Sequence, residues 1–283
     1  NYEQAFTYYQ LALQSVCPTF SSTNFRDNPS LDNPIYPIIL LNIFDYKSQT
    51  QYQYYKNKSH QIADLSACLQ TYLLADELAN RMRHSYQTEE SKLTLGNTLK
   101  QAYQHALLIF YEVAQTFKNA TLPQQITLAL QGKTPNETIW HFIEKSKTTV
   151  LLAKLTDAEA KVLGKIPAQL LQTEEYIKTQ INNLNQTIAN QEANPQQQQN
   201  TEFLLECQEK RFDYTEQWRQ LITQLEKDYP DYYQLKYQTK SPSIKKLIAN
   251  LAPHTALLNY FVGDDYIYVA TLTTTQLYVK QIV

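Results

Sequence analysis

Glycine is scarce: there are four in 283 residues, at Gly96, Gly132, Gly164 and Gly263, all far apart. A loop that cradles phosphate needs several close together, because only glycine lets the backbone come so near the ligand. Walker and Rossmann sites are therefore excluded. Doubly wound enzymes, whose tight strand-to-helix turns use glycine freely, are disfavoured, and helical architecture is the expectation. Cysteine is also rare. Cys17, Cys68 and Cys207 are odd in number and widely spaced, so a reducing, cytoplasmic setting is expected rather than a disulfide framework. No run approaches the roughly 20 apolar residues that cross a bilayer. Nothing after Asn1 reads as a basic segment followed by an apolar leader core, and a start at Asn1 rather than methionine reads as a cut. An excess of either charge is missing too: 25 basic and 27 acidic side chains leave a net −2. Neither nucleic acid nor an anionic membrane is expected as a partner. No CxxC, HExxH or EF-hand spacing occurs, so no metal or cofactor is expected.

What is present suits helices. A hydrophobic fraction of 43% supplies a core for one large domain or two ordinary ones. In residues 1–16, Ala5, Tyr9, Ala12 and Leu13 form a stripe of alternating small and large side chains. Alanines seven apart, an aromatic four after the first and a proline beyond are the pattern of the second helix of a tetratricopeptide repeat. Pro18 falls late and the first helix is absent, so this repeat is degenerate. Helices are expected over residues 38–55, 60–84, 89–117 and 136–155, with a connection between 119 and 135 that has room for one short helix. Ala102, Ala106, Phe110, Val113 and Phe117 repeat the stripe. A divergent tetratricopeptide-like solenoid over residues 1–155 is the expectation.

From Pro167 the spacing of Leu170, Ile177, Ile181, Leu184 and Ile188 is that of a coiled-coil seam broken once by Glu174. After a glutamine-rich turn at Gln196 to Gln199, the seam resumes as Leu204, Cys207, Tyr214, Trp218, Leu221 and Leu225, broken at Arg211. Two such seams bury each other by folding back antiparallel, giving linker helices with a long hairpin over residues 156–230. Past Pro230 a short helix is expected, capped by Ser241 with Pro242 in its first turn. Residues 255–262, 266–272 and 276–283 are β-branched and aromatic runs, the first two split by the turn Gly263-Asp264-Asp265. These strands carry apolar residues on both faces, so the sheet reads as unfinished at Val283, with further residues expected to complete it.

Several runs here resemble the opening of the CHAT domain, the caspase-like module behind tetratricopeptide repeats in bacterial proteins. They are Tyr232-Tyr233-Gln234-Leu235-Lys236, Ala256-Leu257-Leu258-Asn259-Tyr260-Phe261-Val262-Gly263-Asp264 and Tyr266-Ile267-Tyr268-Val269. Glu144-Lys145-Ser146-Lys147, Leu151-Leu152, Glu159-Ala160, Gly164, Ile166-Pro167 and Leu170-Leu171 are similar to the linker helices that precede that domain. Thr148 and Asn259 depart from the family's usual small and acidic residues. The resemblance covers residues 140 to 283 well and the repeats loosely. It implies that residues 231–283 begin a caspase-like α/β domain in a cysteine peptidase related to caspases and separases. The catalytic histidine and cysteine would follow later strands, beyond Val283. No catalytic residue carries over to this chain, which is expected to be inert as it stands. The repeats would bind a protein or peptide partner in their groove. The alternative is a non-catalytic helical scaffold or adaptor.

The candidate groups have bland readings beside the chemical ones. A cysteine nucleophile needs a histidine within reach, and Cys17, Cys68 and Cys207 could be paired only with His60, His84, His105, His141 or His254. Cys68 and Cys207 fall on helical stripes, where a thiol is a small hydrophobe. His254 precedes the first strand and reads as a loop residue. Asp264-Asp265 reads as turn chemistry rather than a carboxylate pair. Lys236, Lys240, Lys245 and Lys246 read as solvated helix ends, and most of the 22 tyrosines as helix packing.

Overall fold

The computed structural model describes residues 1–31, 36–85, 89–147, 166–192, 200–237 and 243–283. It is mainly helical, with one small antiparallel sheet near the C-terminal end. The chain divides into two compact units: Asn1–Arg83, Leu93–Thr149 and Ser241–Val283 form one, and His84–Lys92 with Val150–Lys240 the other.

In the first unit, α1 (Tyr2–Val16) and α2 (Pro37–Tyr54) pack side by side. The Asn1 side chain caps α1 by accepting from the Glu3 N–H at 3.2 Å. Pro37 opens α2, where its missing N–H is harmless. A π-helical turn, Tyr55–Ser59, ends that helix, and His60 closes it in the left-handed region at φ 52°. Then come α3 (Ile62–Ser85), α4 (Glu89–Thr116), the short α5 (Gln124–Ala129) and α6 (Pro135–Ser146). Thr134 and Glu137 cap α6 reciprocally, an arrangement whose loss costs about 1 kcal/mol. The segment expected to be helical through 155 is helical to Ser146; residues 148–155 lie outside the described residues.

The three strands, β1 (Leu257–Val262), β2 (Ile267–Leu272) and β3 (Leu277–Ile282), form a meander in which β2 is central. A short helix, Ile244–Asn250, precedes them. Its cap is Ser243, which accepts from the Lys246 N–H at 3.3 Å; the expected cap pair, Ser241 and Pro242, lies outside the described residues.

Alternation along the strands sets what the sheet covers. Asn259 and Phe261 of β1 and Tyr268, Ala270 and Leu272 of β2 are buried. This face lies on α6, whose Ile139, Phe142 and Ile143 are also buried. Tyr111 of α4 meets Tyr268 edge to face at 5.9 Å, and the Asn136 side chain donates to the Leu277 carbonyl at 3.4 Å. The β1–β2 turn is anchored on α4 as well. Gln104 Oε1 accepts from the Asp264 N–H at 2.8 Å, and Lys100 pairs with Asp264 at 3.2 Å. A Cβ at Gly263 would stand 3.0 Å from both Gln104 Oε1 and the Tyr266 carbonyl, so glycine permits this approach.

The second unit is the hairpin foreseen in the seams. Ala168–Glu192 and Thr201–Asp228 pack together, and the short helix Pro230–Tyr237 packs on the latter. Ile166, just before the first helix, shares a core with Leu225 at the far end of the second and with Tyr232 of the short helix that follows, so the two long helices are antiparallel. Glu174, which interrupts the seam, is buried: it accepts from Lys178 at 2.8 Å and from the Tyr232 hydroxyl at 2.5 Å. Lys178 in turn lies over the Trp218 ring at 4.7 Å. In the helix Pro230–Tyr237, Tyr232 is buried. Gln196 to Gln199 lie outside the described residues.

Candidate functional site

Two carboxylate–histidine–tyrosine triads bind the helices of the first unit together. Asp45 on α2 is buried, with its Oδ2 at 3.0 Å from His105 Nδ1 of α4 and its Oδ1 accepting from the Tyr72 hydroxyl of α3 at 3.3 Å. Asp76 on α3 repeats the arrangement, with Oδ2 at 2.7 Å from His141 Nε2 of α6 and Oδ1 accepting from the Tyr103 hydroxyl of α4 at 2.8 Å. In each triad the tyrosine lies 27 residues after the aspartate, on the next long helix. An ionised carboxylate in the interior is tolerable only with such donors.

The electrostatics follow from burial and pairing. Burial pushes the Tyr72 and Tyr103 phenols well above their ordinary range, reinforced by the neighbouring carboxylates, so both remain donors. Burial acts upward on the Asp76 carboxyl as well, but the hydrogen bond and charge of His141, the charge of Arg83 and the Tyr103 hydroxyl outweigh it, and the net direction is down. The hydrogen bond to Asp45 raises His105, against a smaller opposing effect of burial. Arg83 extends the second triad by donating to the Tyr103 hydroxyl at 2.7 Å, the Lys145 carbonyl at 3.1 Å and Asn80 Oδ1 at 2.8 Å.

An aspartate that orients a histidine is two thirds of a nucleophilic triad. Here the third member is not supplied: among the described residues, no thiol or serine hydroxyl hydrogen-bonds to either imidazole. The geometry shown is one that holds helices together. The described residues also contain no cluster of three or more histidine, cysteine or acidic groups able to hold a metal ion.

The cysteines are placed as packing groups. Cys17 is buried at the end of α1 and its thiol is raised by burial. Cys68 is fully buried, donates to the Ser48 carbonyl at 3.2 Å, and is likewise raised by burial. Cys207 is buried in the hairpin. His60 and His254 occupy left-handed turns at φ 52° and 61°, and His84 lies in α3. Asp264 and Asp265 sit in the β1–β2 turn, with Asp264 tied to α4 as described. Lys245 and Lys246 are exposed on the short helix before β1, Lys236 lies in Pro230–Tyr237, and Lys240 is outside the described residues.

One further group, Lys47, went unmarked in the sequence, and Asn259 was marked there only as a departure from the family's usual acidic residue. Lys47 is fully buried and donates to Gln10 Oε1 at 2.9 Å, the Asp27 carbonyl at 2.6 Å and Asn28 Oδ1 at 2.9 Å. Asn259, inside β1, accepts from Lys147 and donates to Glu144 Oε1 at 2.5 Å, which ties the strand to the end of α6. A polar residue inside an otherwise apolar face was the available signal for both.

The opposite face of the sheet is open among the described residues. Register aligns Val262, Ile267 and Ile282 in one row, Tyr260, Val269 and Lys280 in the next, and Leu258, Thr271 and Tyr278 in the third. Leu258 is 63% exposed and Tyr260 56%. No described helix is long and apolar enough to cross a membrane. No family model, curated protein or solved structure matches the chain.

Proposed function

We propose that this chain provides the partner-binding helical region, the linker hairpin and the opening strands of a caspase-like cysteine peptidase of the CHAT type, acting in the cytoplasm. The observation that carries this reading is the sheet's outer face. Three strands bury one side on α6 and offer the other, rich in Leu258, Tyr260, Val262, Ile267, Tyr278 and Ile282, to further secondary structure. A caspase-like domain begun by these strands would supply that cover. The order of elements, helices then hairpin then strands, agrees with the resemblance in residues 140 to 283.

In this reading the helices act as a divergent tetratricopeptide-like array that takes a protein or peptide partner. Tyr8, Leu11, Ile39 and Tyr46 on α1 and α2 are exposed and are suitable contact residues. A partner with different affinities for the active and inactive arrangements would bias the peptidase between them.

Two measurements test the proposal. The sequence encoded after Val283 is expected to contain a histidine and then a cysteine, each following an apolar strand. Cleavage of peptide libraries by the full-length protein is expected to change when a partner is bound, and to vanish when that cysteine becomes alanine. A continuation with neither residue would discard the peptidase. The same exposed helical residues would then favour a non-catalytic scaffold or adaptor.

A further inference from the structure

His105 is placed between two groups that make opposite demands on one nitrogen. Its Nδ1 lies 3.0 Å from Asp45 Oδ2 and 3.2 Å from Oδ1, and also 3.0 Å from Gln49 Nε2. A carboxylate requires a proton on Nδ1, whereas an amide N–H requires the Nδ1 lone pair. The two partners cannot be satisfied by the same protonation state. His141 has no such choice, since its Nε2 faces Asp76 at 2.7 Å.

The geometry points to a proton-operated staple between α2 and α4: charged His105 donates from Nδ1 to Asp45, and neutral His105 keeps its proton on Nε2 and accepts from Gln49. The ring is a third exposed, at 34%, so protons reach it from solvent. The other titratable groups on the elements around it do not compete. On α3, Tyr72 and Cys68 are both held neutral by burial. On α2 the facing charge is Asp45. On α4, Glu112 belongs to a separate cluster with Tyr52 and Lys56.

Losing the His105–Asp45 bond leaves Asp45 with the Tyr72 hydroxyl at 3.3 Å, a weak contact for a buried carboxylate. The folded protein binds the His105 proton more tightly than the unfolded chain does. The stabilisation is therefore complete below about pH 6.5 and is lost as pH rises through the higher folded value. The device is independent of any peptidase activity. It also acts on the helix that anchors the sheet, because Gln104, beside His105, accepts from the Asp264 amide.

The test is a histidine-resolved NMR titration of the intact chain, with hydrogen exchange of the α2 amides. In the native sequence, the His105 midpoint is expected above about 6.5, with ring nitrogen shifts marking Nδ1 as protonated below it and unprotonated above it. Exchange around Asp45 and Gln49, corrected for its intrinsic pH dependence, is expected to quicken across that midpoint. Asp45→Asn should bring the midpoint down towards the ordinary value. Gln49→Leu removes the partner of the neutral ring and should push the midpoint higher still. An unchanged midpoint in Gln49→Leu, or a native Nδ1 that keeps its proton throughout, overturns the proposal, and the native titration decides the second point even if a variant fails to fold.

Discussion

Asp76 Oδ2 and His141 Nε2 stand 2.7 Å apart, and the carboxylate they share with Tyr103 is what keeps Arg83 and Lys145 tolerable in the same interior. Replacing Asp76 by asparagine removes the negative charge beside those cations. Breaking a buried ion pair from one side costs about 3 to 5 kcal/mol, and a loss near the lower figure is expected in urea unfolding. The pH dependence has a definite sign. Asp76 is held below its ordinary value in the fold, so its contribution is present above about pH 4 and is lost as pH falls through the lower folded value. The Asp76→Asn protein should lack that acid-sensitive component. Parallel acid unfolding curves for the two proteins would refute the account.

Lys47 acts in the other pH direction. Burial pulls its ammonium down to about 7, with the charge of Asp27 opposing. Between about 7 and the ordinary lysine value near 10.4, the unfolded chain binds more protons than the fold, so stability rises with pH across that window. Lys47→Met should abolish this rise while costing about 2 to 3 kcal/mol at neutral pH, since the Asp27 carbonyl, Gln10 and Asn28 lose their donor. Urea midpoints of both proteins from pH 7 to 10 measure the difference. A native profile that is flat, or that falls, contradicts the burial argument.

These examples show what the sequence discloses and what it hides. Helices such as Glu89–Thr116 are legible because Ala102, Ala106 and Phe110 recur on one face, and all three are buried. The strands are legible from their β-branched runs and the Gly263-Asp264-Asp265 turn. Pairing is another matter, because periodicity assigns a residue to a face without naming its partner across the interface. Glu174 therefore looks like a fault in a seam, and Asp45 and Asp76 like lapses in apolar faces. The recurring interval of 27 residues from aspartate to tyrosine is visible in the sequence only once the helices are known to be neighbours.

In the hairpin, Glu174 and Lys178 are buried together and shared with Tyr232. Glu174→Ala alone should cost about 3 to 5 kcal/mol by removing the buried carboxylate that accepts from Lys178. Glu174→Leu combined with Lys178→Met should recover most of this, since an apolar pair of similar volume replaces two desolvated charges. Tyr232→Phe should lose about 1 to 2 kcal/mol from the missing hydroxyl donor. Denaturant midpoints of the four proteins measure these differences. A double variant no better than Glu174→Ala would mean that the ion pair adds net stability here.

The two faces of β1 give the sharpest contrast, because adjacent residues answer to different surroundings. Phe261 is buried at 5% exposure against the helices, whereas Val262 is 55% exposed on the other side. Phe261→Ala should cost about 3 to 5 kcal/mol through the cavity it leaves. Val262→Lys should stay within about 0.5 kcal/mol, as a surface substitution does. Deleting residues 255 to 283 would remove the sheet that packs on α6, with the contacts of Asn136, Glu144 and Lys147 to it, and should destabilise the helices. Circular dichroism and thermal melting separate these outcomes. If the truncated chain retained its helix content and melting temperature, the inner face of the sheet would contribute nothing to the helical core, and the value assigned to Phe261 would have to be withdrawn with it.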